Sequence, residues 1–579
     1  MIKILKWISL LCSILVFGQE EKVFVDTSSI ELDSMFYQKT NNAFHEKDQL
    51  ILLQFDPFEA TLLSNFGSPL LPLWWNPVNN IDINIGDVLL KNKNISPTLK
   101  NKYNHNFPHT KIIYSPTYFE GQRLKFIHKR KLNNGSIHID YNRLVSEGFL
   151  ANEKNKNTQF NFYGIFSHPK LPIKSSIHLY NLKNESEWNG GINDSDAFLS
   201  EIESDWKVIS VNWTNLNTRI KHKGLNWLNL YDLNSKNQIK YELTISQDSL
   251  IYDGLQDDTL FYPVLLDSVT LLTRYFTKFS NSLIWNYEIN QDKKSEIGIN
   301  YQSLSLEEKN TDQWSIDYSI YSESLQNHIY FALGKNQINK HSFIANYSQK
   351  IQLFRTTNKF KIGYERTYPN WIEQNSFYSS WGSNFEDVAP KIDQYFEWHI
   401  NLTKNISINN SYHSIEGYTY YNENAIAVTD QNITQVFQSR LKHHLNLKKW
   451  HWKGDAGYQK SSSKNIPLAK IILNQNIYWQ GPIFKEATEA QIGMRVFYRT
   501  KHPGIGFAPI LGDFYVNPLN QTEASLKCDL FANFKIQTIK IYAAYEHLNG
   551  LFQGRQFSSK PFPMADPLLR IGLIWNFYD

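Results

Sequence analysis

The side chains best suited to chemistry are charged residues repeated along short alternating runs: Glu397 with His399, Lys527 with Asp529, Lys361 with Glu365, and Lys540 with Glu546. On an extended strand, residues an even number apart share one face, with about 7 Å between every second residue. Facing a watery passage, such side chains would guide ions and polar solutes. Asp140, Asp317 and Arg570 occupy equivalent alternating positions. Because both signs occur, the set predicts weak ion selectivity and not a strongly cationic or anionic filter. Each residue also suits a plainer role, solvated or paired with a charge on the next strand.

Bond-making chemistry finds less support. The sequence contains neither a G-x-S-x-G elbow nor an H-E-x-x-H zinc motif, and with 17 His and many Ser, chance proximity is the expectation for any Ser/His pair. Adjacent His443 and His444 would point to opposite faces of a strand, which spoils them as joint metal ligands. Asp194, Asp196, Glu201, Glu203 and Asp205 could gather calcium, but the spacing of a dedicated calcium loop is absent, and a solvated acidic loop is favoured. No catalytic residue, metal or cofactor is expected.

The elements that must position the charges are long strands. In WSIDYSIY (314–321), Trp314, Ile316, Tyr318 and Ile320 alternate with Ser315, Asp317, Ser319 and Tyr321, and SIHIDYN, FKIGYE, YFEWHINL, LKCDLFANFKI and IKIYAAYE repeat the scheme. Many runs reach ten residues, where strands of soluble proteins average five or six. The terminal LLRIGLIWNFYD is itself such a run, with Leu569, Ile571, Leu573, Trp575 and Phe577 on one face and Arg570 on the other. Ten alternating residues cross a bilayer when tilted, one face on lipid and one on a wet lumen. Aromatic content of 15% with a mean hydropathy of -0.45 suits that division.

Residues 1–18 read as a secretory signal: Lys3 and Lys6 precede an apolar run from Trp7 to Phe17, with cleavage after Gly18. Losing both lysines takes the formal charge from +4 to +2, which leaves no basis for a nucleic-acid partner. KKWHWK (448–453) sets Trp450 and Trp452 on one strand face and bases on the other, the pattern of an aromatic girdle at a membrane interface. Cys528 is the one cysteine outside the signal, so no intrachain disulfide is available.

Tight turns such as LNNGS (132–136), which offers an Asn-Gly turn, alternate with long polar linkers at 184–205, 253–263, 375–390 and 501–518. This predicts an all-β fold: a transmembrane antiparallel barrel over 109–579, with about 16–22 strands, short turns on the periplasmic side, long loops outside and the C-terminal strand closing the wall. The prolines of residues 19–108, Pro57, Pro69, Pro72, Pro77, Pro97 and Pro108, with Gly67 and Gly86, argue against several long strands; the segment would sit in the periplasm or fold into the lumen as a constriction.

Five stretches resemble the putative porin family of Bacteroidetes outer membranes: SNFGSPLLPL (64–73), FPHTKIIYSP (107–116), DYNRLVSEGFLANEKNKN (140–157), IHLYNLKNESEWNGGI (177–192) and PFPMADPLLRIGLIWNFYD (561–579). The resemblance implies the barrel and the outer-membrane location and hardly constrains the solute. It also implies that Trp575, Phe577 and Tyr578 carry the signal read by the barrel-assembly machinery, although the chain ends on Asp579 and not on an aromatic residue. The function expected is a non-enzymatic, porin-like channel in contact with membrane lipid, passing small polar solutes. The alternative is a non-conducting barrel serving as a surface-binding or assembly component.

Overall fold

The computed structural model describes residues 55–77 and 108–578, apart from 119, 202–204, 255–270, 307–308, 337–339, 354, 369–388 and 485–486. The signal segment and the linkers at 255–263 and 375–388 lie outside the described residues. Among the described residues no helix is long and apolar enough to cross a membrane.

Two short strands, β1 (Ala60–Leu62) and β2 (Leu70–Pro72), form a separate hairpin. The wall begins with β3 (His109–Pro116), β4 (Gln122–Leu132), β5 (Gly135–Ser146), β6 (Asn155–Ser167), β7 (Ile173–Trp188), β8 (Leu216–Asn234) and β9 (Asn237–Asp253). It continues from Leu271–Glu288 to the closing strand Leu568–Tyr578, each strand antiparallel to its neighbour, and seals into a barrel of 22 strands when the closing strand pairs with β3. Twenty-two is the upper end of the expected range.

Alternation sorts the side chains. On the closing strand Leu569 is 62% exposed and Ile571 52%, while Arg570 and Ile574 are 1% exposed. The outward residues form the lipid-facing belt, and the polar residues between them turn inward. Trp450 and Trp452 stand outward and exposed beside the turn at 448–449, whereas His451 turns inward to stack on Tyr478 with ring centres 4.9 Å apart. His443 packs on Trp452 and His444 on His451, so the adjacent histidines do part to opposite faces.

Connections on one rim are tight; β4 and β5 are joined by two residues and so are β8 and β9. The LNNGS turn is centred on Asn133–Asn134 and not on Asn-Gly, because Gly135 already pairs with Leu132. A Cβ on Gly135 would fall 1.9 Å from the Ile165 carbonyl oxygen, so the glycine serves close strand approach.

The opposite rim carries the long loops, and here the structure departs from the sequence pattern. The 501–518 stretch is not a polar linker. It contains a hairpin, His502–Ala508 with Asp513–Thr522, that folds inward and buries Phe507, Ile510 and Leu511 against Ile220, Leu250, Tyr252 and Phe276 of the wall. These inward-facing wall residues are apolar because they meet folded loops and not water. The acidic loop is also structural: Asp194 caps the helix Ser195–Leu199 and Asp205 caps the turn Trp206–Val208, each accepting backbone N–H groups. Glu203 lies outside the described residues, and no cluster of metal ligands occurs among the described ones.

Ile316 is 56% exposed on the outer face, and Asp317 beside it accepts a 2.6 Å hydrogen bond from the Asn300 amide on the inner face. Ile316→Arg is expected to destabilise the barrel by about 2–4 kcal/mol near the midplane. Asp317→Arg should leave the fold in place and move the reversal potential in a salt gradient. Photo-crosslinkers at the two positions check the assignment: 316 should capture lipid and 317 should not.

Candidate functional site

Residues 55–77 lie inside the barrel at the long-loop mouth, and their anchoring defines the site. Asn65 is fully buried. Its amide donates to the carbonyls of Ser146 (3.1 Å) and Glu153 (2.7 Å), and its side-chain oxygen accepts from Phe66 N–H (2.7 Å) and from the Ser146 hydroxyl. Gly67 follows at φ +89°, packed where a Cβ would meet the Asn155 side chain at 2.9 Å; both conformation and space call for glycine. The turn thus locks residues 64–69 onto the loop between β5 and β6.

Phe66 then packs against Tyr118, with ring centres 4.6 Å apart and the planes tilted by 59°, and receives the guanidinium of Arg570 at 4.6 Å. Arg570 makes a two-pronged pair with Glu546 at 2.7 and 3.1 Å and donates to the Pro116 carbonyl at 3.0 Å. Both charged side chains are 1% exposed, so the pair is removed from water and held by hydrogen bonds on several sides.

On the far wall Arg440 gathers the start of the same segment. It donates to Glu59 at 2.9 Å and Asp455 at 2.8 Å, stands 3.6 Å from Asp56, and lies 3.9 Å over the Phe58 ring. Gln459 donates to the Leu73 carbonyl, its amide oxygen accepts from Trp75 N–H, and Trp75 meets His413 edge-on at 4.9 Å. His413 is paired with Asp393 at 3.0 Å, both buried. A cavity of about 40 Å³, room for a water molecule or two, remains beside Phe66, Lys527, Asp529 and His547. His547, on the loop after the strand ending at Glu546, is held neutral by burial, which pushes its imidazole well below the ordinary value.

The sequence-derived candidates all occupy inward positions but divide into two groups. Lys527, Asp529, Glu546 and Arg570 converge under residues 55–77; Asp529 lies 3.7 Å from Lys527 and accepts the His547 N–H at 3.0 Å. Lys540 is buried lower on the same strand as Glu546. The others lie away from this cluster. Asp140 pairs with Lys125 at 2.9 Å, Lys361 with Glu397 at 3.6 Å, and His399 with Asn401 at 2.9 Å and Asn409; Glu365 is buried next to the strand that carries Asp393.

The five stretches noted in the sequence, far apart in the chain, meet here: Asn65, Pro116, the β5–β6 loop, Ile192 and Arg570 all belong to them, and Ile192 N–H bonds to the Pro561 carbonyl at 3.1 Å. The family described as putative porin matches residues 19–579. The chain belongs to the putative porin family. No curated protein matches it. Among solved structures, the FrpB iron transporter of Neisseria meningitidis (F3-3 variant) superposes with a TM-score of 0.60 at 10% identity, over 82% of each chain. A mutant form of the ferric enterobactin receptor PfeA of Pseudomonas aeruginosa gives 0.61 at 11%, over 82% of this chain and 81% of the receptor. The siderophore receptor PirA of Acinetobacter baumannii gives 0.60 at 9%, over 83% and 81%. At such identities the likeness is one of fold. Family and fold together make this porin-family protein an outer-membrane barrel.

Several residues that build the porin's inner anchor were not singled out from sequence: Asn65, Glu153, Tyr118, Arg440, Gln459 and Trp75. Asn65 and Glu153 lie within the family stretches, which was a usable signal. Nothing local marks Arg440 as the partner of Asp56 and Glu59 almost four hundred residues away.

Glu153 gives a pH test. Its carboxylate accepts Phe149 and Leu150 N–H at 2.8 and 3.0 Å, yet burial dominates and raises its pKa above the ordinary carboxylate value. A raised folded-state pKa means that the folded state binds the proton more tightly than the unfolded one, so stability falls as pH climbs from the ordinary value through the raised one. Acidification from neutrality toward pH 5 should therefore tighten the β5–β6 loop and protect residues 64–75 from proteolysis, and Glu153→Gln should flatten that dependence. Equal protease sensitivity across the range in the native protein would contradict this.

Proposed function

We propose that the protein is an outer-membrane passage for small polar solutes, stoppered at its outer mouth by residues 55–77. The observation that carries this reading is the contrast between the two parts of the inner wall. At the mouth it is packed against folded loops, whereas between β4 and the strand Lys391–Thr403 it presents Asp140, Asp317, Lys361, Glu397 and His399, partly exposed side chains with no buried apolar cluster over them among the described residues. A 22-strand wall is wide enough to conduct unless a plug fills it. Lys527, Asp529, Lys540, Glu546, Glu365 and Arg570 complete the polar inner face, the first two with Glu546 and Arg570 directly beneath the stopper.

The passage does no bond chemistry, and mixed charge makes its selectivity weak. The signal segment directs export, and the closing strand with Trp575, Phe577 and Tyr578 offers the assembly machinery its recognition pattern. A second reading is supported by the stopper itself: a barrel this firmly closed would serve as a surface-binding or assembly component, a role that the receptor names of its structural neighbours would also suit. Planar-bilayer recording separates the two. Step conductances with a modest reversal potential in a potassium chloride gradient, together with uptake of small neutral sugars into liposomes, are expected of a passage; silence in the intact protein and in stopper deletions alike would leave the surface role.

A further inference from the structure

We propose that the outward faces of β5 to β8, just beyond the lipid belt on the long-loop side, form a docking site for the phosphate groups of a phosphorylated glycolipid of the outer leaflet. The register places the cations in adjoining rows. One row runs Arg143, Thr158, Lys183, Lys221, Ser249 across five neighbouring strands. The row beyond it runs Lys156, Glu185, Arg219, and the row before it sets Lys223 between Asn181 and Gln247.

Lys183 and Lys221 are directly opposite each other on the same face, an arrangement that costs stability unless an anion lies between them. Glu185 cannot satisfy the patch, since it already serves Lys156 at 3.4 Å and Lys183 at 2.5 Å. Arg219, Lys221 and Lys223 are exposed and make no ion pair among the described residues. Glu187 and Asp253 stand in the next row out, so six cations face three carboxylates.

The level of the patch identifies the occupant. Two residues inward from Lys223, the same faces carry an unbroken apolar row of Ile139, Phe162, Leu179, Leu225, Ile245 and Phe279. At about 3.4 Å per residue, Lys223 and Lys221 stand roughly 7 and 14 Å along the tilted strand from that row, the depth of the headgroup layer. Long loops mark this rim as the outer one. Charges there meet headgroups and not bulk water, while Thr158, Ser249, Asn181 and Gln247 supply hydrogen bonds for sugar hydroxyls.

The test is a titration of the full-length detergent-solubilised protein with diphosphorylated lipid A, read by native mass spectrometry, against the dephosphorylated lipid and against inorganic phosphate. The triple variant Lys183→Gln, Arg219→Gln, Lys221→Gln should bind diphosphorylated lipid A at least about tenfold more weakly, while Arg130→Gln, an outward cation near the opposite rim, should bind as the parent does. Should the triple variant lose heat-modifiability, Lys221→Gln alone is used, with an expected weakening of about fivefold. Equal binding by a folded variant, equal retention of dephosphorylated lipid, or full displacement by equimolar inorganic phosphate would each overturn the assignment.

Discussion

Deleting residues 64–75 is expected to raise single-channel conductance severalfold while the barrel still assembles. The segment contributes no strand to the wall, so the β3-to-closing-strand register can form without it. What it supplies is internal: Asn65 on the β5–β6 loop, Phe66 under Arg570, and Leu71 and Leu73 in a buried cluster with Phe58, Ile472 and Phe497. Removing it opens the mouth and leaves Gln459, Ser146 and Arg570 facing water instead of the segment. Deleting residues 20–60, by contrast, keeps the Asn65 turn and should change conductance less, though it frees Arg440 from Asp56 and Glu59. Planar-bilayer recording of both variants, with heat-modifiability as the check on folding, decides the matter. Unchanged conductance in a folded 64–75 deletion would mean that the segment does not limit the passage.

The second large effect is at the buried ion pair. Glu546→Gln or Arg570→Met leaves an uncompensated charge in a site that is 1% exposed, and each is expected to cost about 3–5 kcal/mol. Arg570→Met additionally strips the cation from Phe66 and the donor from the Pro116 carbonyl, so it should also loosen the stopper. The double variant should lose less than the sum of the singles, because it removes both charges together. Urea titration in detergent micelles measures all three; additive losses would show that the two side chains are not coupled.

How much of this could be read from the chain follows from the range of the forces involved. Alternation is local, and lipid on one side enforces it, so the wall, the inward position of Asp317 or Glu397, and the closing role of the last strand were legible. The mouth was not. Ile220, Leu250 and Phe276 alternate with polar residues as lipid-facing ones would, and only the inward fold of the 501–518 hairpin decides that they meet protein. The stopper depends on contacts such as Arg440 with Glu59 and Ser558 with the Leu63 carbonyl, across hundreds of residues, and no local pattern encodes them. The capping roles of Asp194 and Asp205 were not legible either, because a solvated carboxylate and a helix cap look alike in sequence until backbone N–H groups are placed around them.

The barrel's closing joint is its shortest. Among the described residues β3 and the last strand share six register pairs, His109 with Tyr578 through Tyr114 with Leu573, fewer than any other two neighbours in the wall. Hoop strength in a ring of staves is set by its shortest joint, and here a clasp spans it from within. Arg570 reaches from the last stave to the Pro116 carbonyl at the end of the first, and Phe66 and Tyr118 lie against the same guanidinium. Prising the ring apart sideways must therefore break the clasp as well as the ladder, so whatever withdraws the stopper also weakens the hoop.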